Sequence, residues 1–275
     1  DRITWAIYAS DPLDSMSIKG IPQKASDLFK YGHEQITTNS HLHGGLSEYI
    51  ILRPNTPIIK PMVNLPLQVL TIVNCAVATA AGAIRIAGNI EGANVVIAGA
   101  GMLGVIACAM AKTKGAKNII AIDIEDNRLQ MSRAFGATHT VHLDTINSVQ
   151  NFSNWLTYNH LQIDCFIDFS GEPTTIDLLL KQLTIGGTAV FIGSTYPQQN
   201  ITLNAETIVR NIWTIKGLHN YNETDFIEAV NFVENYYQAF PIASLIKGGF
   251  TLDTCKLAFD FAIEEHPYRV GIALK

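Results

Sequence analysis

Three sets of residues in this chain have the types and spacing to do chemistry. Gly99, Gly101 and Gly104 stand in "GAGMLG", a G-x-G-x-x-G turn between an apolar run and a helical one. In that setting the first glycine makes the tight turn, the second lets backbone approach a pyrophosphate, and the third lets helix pack on strand. The amides that open the following helix, at Met102 and Leu103, add donors and a partial positive charge. Asp123 ends the next apolar run and is placed to accept from adenosine ribose hydroxyls, while repelling the 2′-phosphate of NADP. NAD is therefore the expected cofactor, with Arg128 bordering its adenine end. The second set is the lone thiol of Cys75. The third is His33-Glu34 in "KYGHEQ" with His41 and His43 in "SHLHGG", whose nitrogens and carboxylate suit zinc. Their loop context favours surface histidines in solvent.

The whole chain narrows the partners. Its 275 residues are 48% hydrophobic and 16% charged, enough apolar surface for two domains. A net charge of −5 and the absence of a Lys/Arg cluster argue against nucleic acid or an anionic membrane surface and for a small-molecule partner. Cys75, Cys108, Cys165 and Cys255 are too scattered for a CxxC pair or a disulfide framework, which suits a reducing, cytoplasmic location. The most apolar stretches are interrupted by Gly, Asn, Pro or charge before the roughly 20 residues of a membrane span, and no signal peptide opens the chain.

The elements that must carry these residues follow from the patterning. Short β-branched runs at 94–99, 118–123, 138–143, 164–171, 188–193 and 213–217 alternate with helical stretches, the βαβ signature. Being apolar on both faces, they predict a six-stranded doubly wound (Rossmann) parallel sheet of α/β class. Residues 1–74 read as β-rich, with "GGLSEYIIL" (44–52) among the strands. After residue 220, "NETDFIEAVNFVENYY" and "LDTCKLAFDFAIEE" read as helices and "YRVGIAL" as a closing strand.

With "GGLSEY", "NCAVATA", "GAGMLG", "AID" and "IKGLHNY", the chain resembles the zinc-type medium-chain alcohol dehydrogenases along nearly all its length, and within them a subgroup associated with phosphonate breakdown. The resemblance implies a partial GroES-like catalytic domain at 1–74 with a remnant structural lobe at about 9–35, an NAD-binding domain at 75–219, and a return to the catalytic domain at 220–275. It implies hydride transfer between an alcohol or carbonyl substrate and NAD(H), assisted by zinc, in a homodimer or homotetramer. By the same resemblance Cys75 is a catalytic zinc ligand and Thr79 packs against the nicotinamide. Ile192, Gly193, Leu218 and His219 lie near its carboxamide, and Arg269 near the pyrophosphate.

Two departures qualify that reading. The family's structural lobe has cysteines spaced C-x2-C-x2-C-x7-C, and those positions hold Asp11, Asp14, Ser17 and Ala25, so no structural zinc is expected. The other ligands of the catalytic zinc lie, in the family, upstream of "DRITW". A chain opening on Asp1 rather than Met suggests a longer native protein that supplies them. A zinc-free quinone or enone reductase and a non-catalytic dinucleotide-binding relative are the competing readings.

Overall fold

The structure is a computed structural model and describes residues 1–274. The chain divides into two compact units, Asp1–Ala78 with Asn220–Lys275, and Thr79–His219.

In the first unit, strands are short. β1 (Thr4–Trp5) pairs antiparallel with β4 (Ile58–Ile59), and β2 (Tyr8–Ala9) with β3 (Phe29–Lys30). A single helical turn, α1 (Ser15–Ile18), lies between β2 and β3. The predicted strand at 44–52 does not form. Its one backbone bond to another segment is Ile51 N–H to Leu42 O at 2.8 Å, and Leu46, Tyr49 and Ile51 remain exposed. High β propensity makes no strand without a ladder partner for its N–H and C=O groups. His43 also departs from expectation. It is buried, packed edge-on to Phe29 with ring centroids 5.4 Å apart, and among the described residues neither ring nitrogen has a hydrogen-bond partner.

Residues 67–87 form a continuous helical run, α2 (Leu67–Ile72), a π turn (Val73–Val77) and α3 (Ala78–Ala87). By length and composition alone this run could cross a membrane, contrary to the sequence reading, in which Gly, Asn, Pro or charge interrupts every such stretch. Within the fold 72% of its apolar window is buried, as in a core helix.

The second unit carries β5 (Asn94–Ala98), α4 (Met102–Thr113), β6 (Asn118–Asp123), α5 (Asp126–Ala134), β7 (His139–His142) and α6 (Val149–Tyr158). It continues through β8 (Ile163–Asp168), α7 (Pro173–Leu180), β9 (Leu183–Phe191), α8 (Ala205–Asn211) and β10 (Thr214–Gly217). The strands make one six-stranded sheet in the order β10-β9-β8-β5-β6-β7, parallel at every pairing. The predicted doubly wound sheet is thus present. The chain winds outward from β5 to β7, returns to β8, and winds outward the other way, so the switch point lies between β5 and β8. Val96, Ile120, Phe152, Phe166, Ile176 and Leu179 are fully buried in its core. β8 ends at Asp168, three residues before the predicted limit, because the carboxylate of Asp168 takes the amides that follow it.

The first unit resumes with α9 (Glu223–Tyr236), opened by a capping box in which Asn222 and Asp225 bond each other's backbone amides. It closes with β11 (Ile246–Thr251), α10 (Cys255–Glu265) and β12 (Arg269–Ala273), the two strands pairing in parallel.

Candidate functional site

The glycine turn sits at the carboxyl end of β5, beside the switch point where open α/β sheets hold ligands. Gly99 has φ +88°, and its N–H donates to Ile122 O at 2.8 Å. A Cβ at Gly104 would overlap the Gly99 carbonyl oxygen, so this residue sets how closely α4 lies on the turn. Gly101 differs from both. As N-cap of α4 it has φ −68°, open to any residue, and among the described residues a Cβ there would meet nothing within 4 Å. Neither conformation nor internal packing calls for glycine at 101. The opening amides of α4, on Met102, Leu103 and Gly104, precede the first i→i−4 bonds of the helix, the kind of donors that suit phosphate oxygens.

Asp123, at the end of β6, is 8% exposed. Its Oδ2 accepts from Ala100 N–H at 2.6 Å, and its Oδ1 from Ile124 N–H at 2.8 Å and Glu125 N–H at 3.0 Å. The same carboxylate therefore ties the glycine turn to the neighbouring strand. Arg128 is half-buried in the first turns of α5.

The opposite lip of the crevice, following β8 and β9, contains residues that the sequence reading did not single out. Asp168 is fully buried, and burial, opposed by its hydrogen bonds to Ser170 and Gly171, pushes its carboxyl above the ordinary range. Its main-chain oxygen accepts from Ile192 N–H at 2.9 Å and Gly193 N–H at 3.0 Å. A strand ending in an acid with Ser-Gly two and three residues on, "DFSG", is the signal that could have found it. Leu218 follows β10 and donates to Phe191 O at 3.0 Å; His219 beside it is exposed.

Cys75 lies in the π turn of the first unit, a helical irregularity frequent at functional sites, and is a half-buried free thiol. Tyr221 Oη donates to the neighbouring carbonyl of Asn74 and accepts from Ile7 N–H at 2.9 Å. Thr79, buried, falls in the second unit, whose boundary runs between Ala78 and Thr79. Arg269 opens β12 on the first unit and is exposed. His33 and Glu34 are exposed, with His33 Nδ1 3.2 Å from Tyr31 O. Among the described residues no three His, Cys, Asp or Glu side chains gather as a metal-binding group, around Cys75 or elsewhere. A zinc ion needs three protein ligands, so the residues present do not hold one.

At the positions of the expected lobe cysteines the carboxylates make hydrogen bonds instead. Asp14 Oδ1 caps α1 through Met16 N–H at 2.7 Å, and its Oδ2 accepts from Ser26 Oγ at 2.7 Å. Asp11 Oδ1 accepts from Leu13 N–H at 2.9 Å, and the Asp11 backbone N–H donates to Asp27 Oδ2 at 2.8 Å. The bonds to Ser26 and Asp27 join the two ends of the 11–27 segment.

Similarity to known proteins agrees with this geometry. The zinc-binding dehydrogenase family profile matches residues 103–235. Sorbitol dehydrogenase 1 of Saccharomyces cerevisiae is 30% identical over 185 residues, 65% of this chain and 50% of the yeast protein. An L-threonine 3-dehydrogenase of Protochlamydia amoebophila is 27% identical over 172 residues, 62% of this chain and 48% of its own. The matched stretch thus spans about half the length of the curated relatives. The crystal structure of an alcohol dehydrogenase from Thermotoga maritima has the same fold, with a TM-score of 0.89 at 24% identity over 98% of this chain and 76% of that one. Motifs, sheet order and these relatives converge on one likeness: the chain is similar to the zinc-binding, medium-chain dehydrogenases over about half the length of the curated relatives.

Proposed function

We propose that this chain is the dinucleotide-binding part of an oxidoreductase that moves a hydride between a small alcohol or carbonyl compound and NAD(H). The observation that carries the reading is Gly101, a helix-capping glycine with ordinary φ and open space where its Cβ would be, at the switch point of the sheet. A nicotinamide cofactor bound there supplies the hydride acceptor or donor. The chain's own work is placement. The amides opening α4 receive the pyrophosphate, Asp123 faces the adenosine ribose and disfavours a 2′-phosphate, and Arg128 borders the adenine. Ile192, Gly193, Leu218 and His219 end the strands on the nicotinamide side. Thr79 and Arg269 keep the roles that the family resemblance implies, packing against the nicotinamide and lying near the pyrophosphate. Cys75 would be one ligand of a catalytic zinc, but among the described residues no partner ligands gather around it.

The four free cysteines accord with a reducing, cytoplasmic setting, and β10, an open sheet edge, is available for self-association. Titration with NADH and NADPH tests the cofactor, followed by a screen of polyols, amino alcohols and aryl alcohols for NAD reduction. NADH binding at least tenfold tighter than NADPH is expected; tighter NADPH binding would overturn the assignment.

A further inference from the structure

Each lip of the crevice is tied by a buried carboxylate. The β5 lip is a glycine turn held from the neighbouring strand by Asp123. The β8 lip, Phe169–Gly171, is held by one buried side chain. Asp168 Oδ1 accepts from Ser170 N–H at 3.1 Å, Ser170 Oγ–H at 2.5 Å and Gly171 N–H at 3.2 Å, and its Oδ2 lies 3.0 Å from the same Gly171 nitrogen. Without that carboxylate, the Ser170 and Gly171 amides lose the acceptor that bends the chain back after β8.

What the bend achieves is contact without clearance. A Cβ on Gly99 would stand 2.9 Å from Ser170 N, and one on Gly171 would stand 2.6 Å from Gly193 O. In the other direction, a Cβ on Gly193 would overlap Gly171 N. Three turns, following β5, β8 and β9, therefore meet backbone to backbone, with glycine wherever a side chain would wedge them apart. Asp168 reaches two of them: its carboxylate shapes the β8 turn, and its carbonyl accepts from Ile192 and Gly193.

We propose that Asp168 is a positioning residue for the cofactor, its carboxylate setting the Phe169–Gly171 lip so that the backbone around Gly99 and Gly193 presents a fixed edge to a bound dinucleotide. This rests on the cofactor reading above. Burying an acid where it touches no ligand is costly, and four backbone and hydroxyl contacts on one carboxylate are the return. A lip of flexible residues would need to order on binding, which weakens affinity.

The test measures NADH dissociation constants by nicotinamide fluorescence on the full chain, at a temperature where circular dichroism shows each variant folded. Asp168→Ala is expected to weaken NADH binding about tenfold or more, and Asp168→Asn, which keeps the Oδ1 acceptor, to restore it to within about threefold of wild type. A merely structural role would lower the melting temperature of Asp168→Ala yet leave its low-temperature affinity at the wild-type value, and that result overturns the proposal. Should Asp168→Ala not fold, Ser170→Ala removes one donor from the same carboxylate. About threefold weaker binding then supports the proposal, and unchanged binding overturns it. A wild-type chain that binds neither NADH nor NADPH refutes the cofactor reading and this proposal together, whereas tight wild-type binding with indifferent variants refutes this proposal alone.

Discussion

The Asp123 carboxylate lies 2.6 Å from the amide nitrogen of Ala100, so the acid that ends β6 also holds the glycine turn that follows β5. Its second oxygen takes the Ile124 and Glu125 amides. One buried carboxylate thus shapes the turn after β5 and the chain that follows β6.

Asp123→Ala should therefore do two things. Leaving the Ala100 amide without its acceptor should cost about 1 to 3 kcal/mol in urea unfolding. Loss of the negative charge should lower the NADH to NADPH affinity ratio about tenfold in parallel titrations. An unchanged ratio would remove Asp123 from the ribose subsite.

Gly101→Ala and Gly104→Ala should separate binding from packing. The Gly104 variant places a methyl group against the Gly99 carbonyl and should lose about 2 to 3 kcal/mol of stability. The Gly101 variant meets nothing in the chain and should stay within about 1 kcal/mol of wild type, while NADH binding weakens at least about tenfold. Tight NADH binding by Gly101→Ala would contradict the pyrophosphate assignment.

Tyr221→Phe should destabilise the first unit by about 1 to 3 kcal/mol, since it strips the Asn74 carbonyl of a donor and the Ile7 amide of an acceptor in a buried setting. Chemical denaturation measures this. A neutral outcome would mean that the π turn bearing Cys75 holds itself.

The Ser26 hydroxyl, followed by the Met16 amide, holds the Asp14 carboxyl below its ordinary value. A carboxyl depressed in the folded state contributes stability above the unfolded value, near pH 4, and loses it as pH falls through the lower folded value. Hydrogen exchange at the Met16 and Ser26 amides, referred at each pH to the unfolded rate, should show protection at pH 7 that fades below about pH 4. In Ser26→Ala the protection at pH 7 should already be reduced. Equal protection in wild type and variant would refute the Asp14 cross-link.

Burial pushes the thiols of Cys108 and Cys165 up to about 12, whereas Cys75 and Cys255 are only half-buried. A disulfide reagent at pH 8 should titrate two thiols in the native protein and all four after denaturation. Four native reactive thiols would show that the sheet unit opens readily.

How much was legible beforehand depended on the range of the interactions involved. The six strands, the glycine turn and the acid at 123 are written in local periodicity and spacing, because a buried parallel strand needs an unbroken apolar run and a phosphate-binding turn needs its glycines within six residues. The helix caps at Asn222 and Asp225 are local in the same sense. What only the tertiary structure decided is non-local. Residues 44–52 have strand composition and no strand partner, and His43, in a polar-looking loop, is buried against Phe29. Nor does the chain's order reveal that Gly104 meets Gly99 through a helix turn, or that the Phe169–Gly171 turn meets Gly99 and Gly193. Propensity speaks for a residue and its neighbours, whereas ladder pairing, burial and backbone clearance are settled by segments far apart in sequence that meet only in the folded sheet.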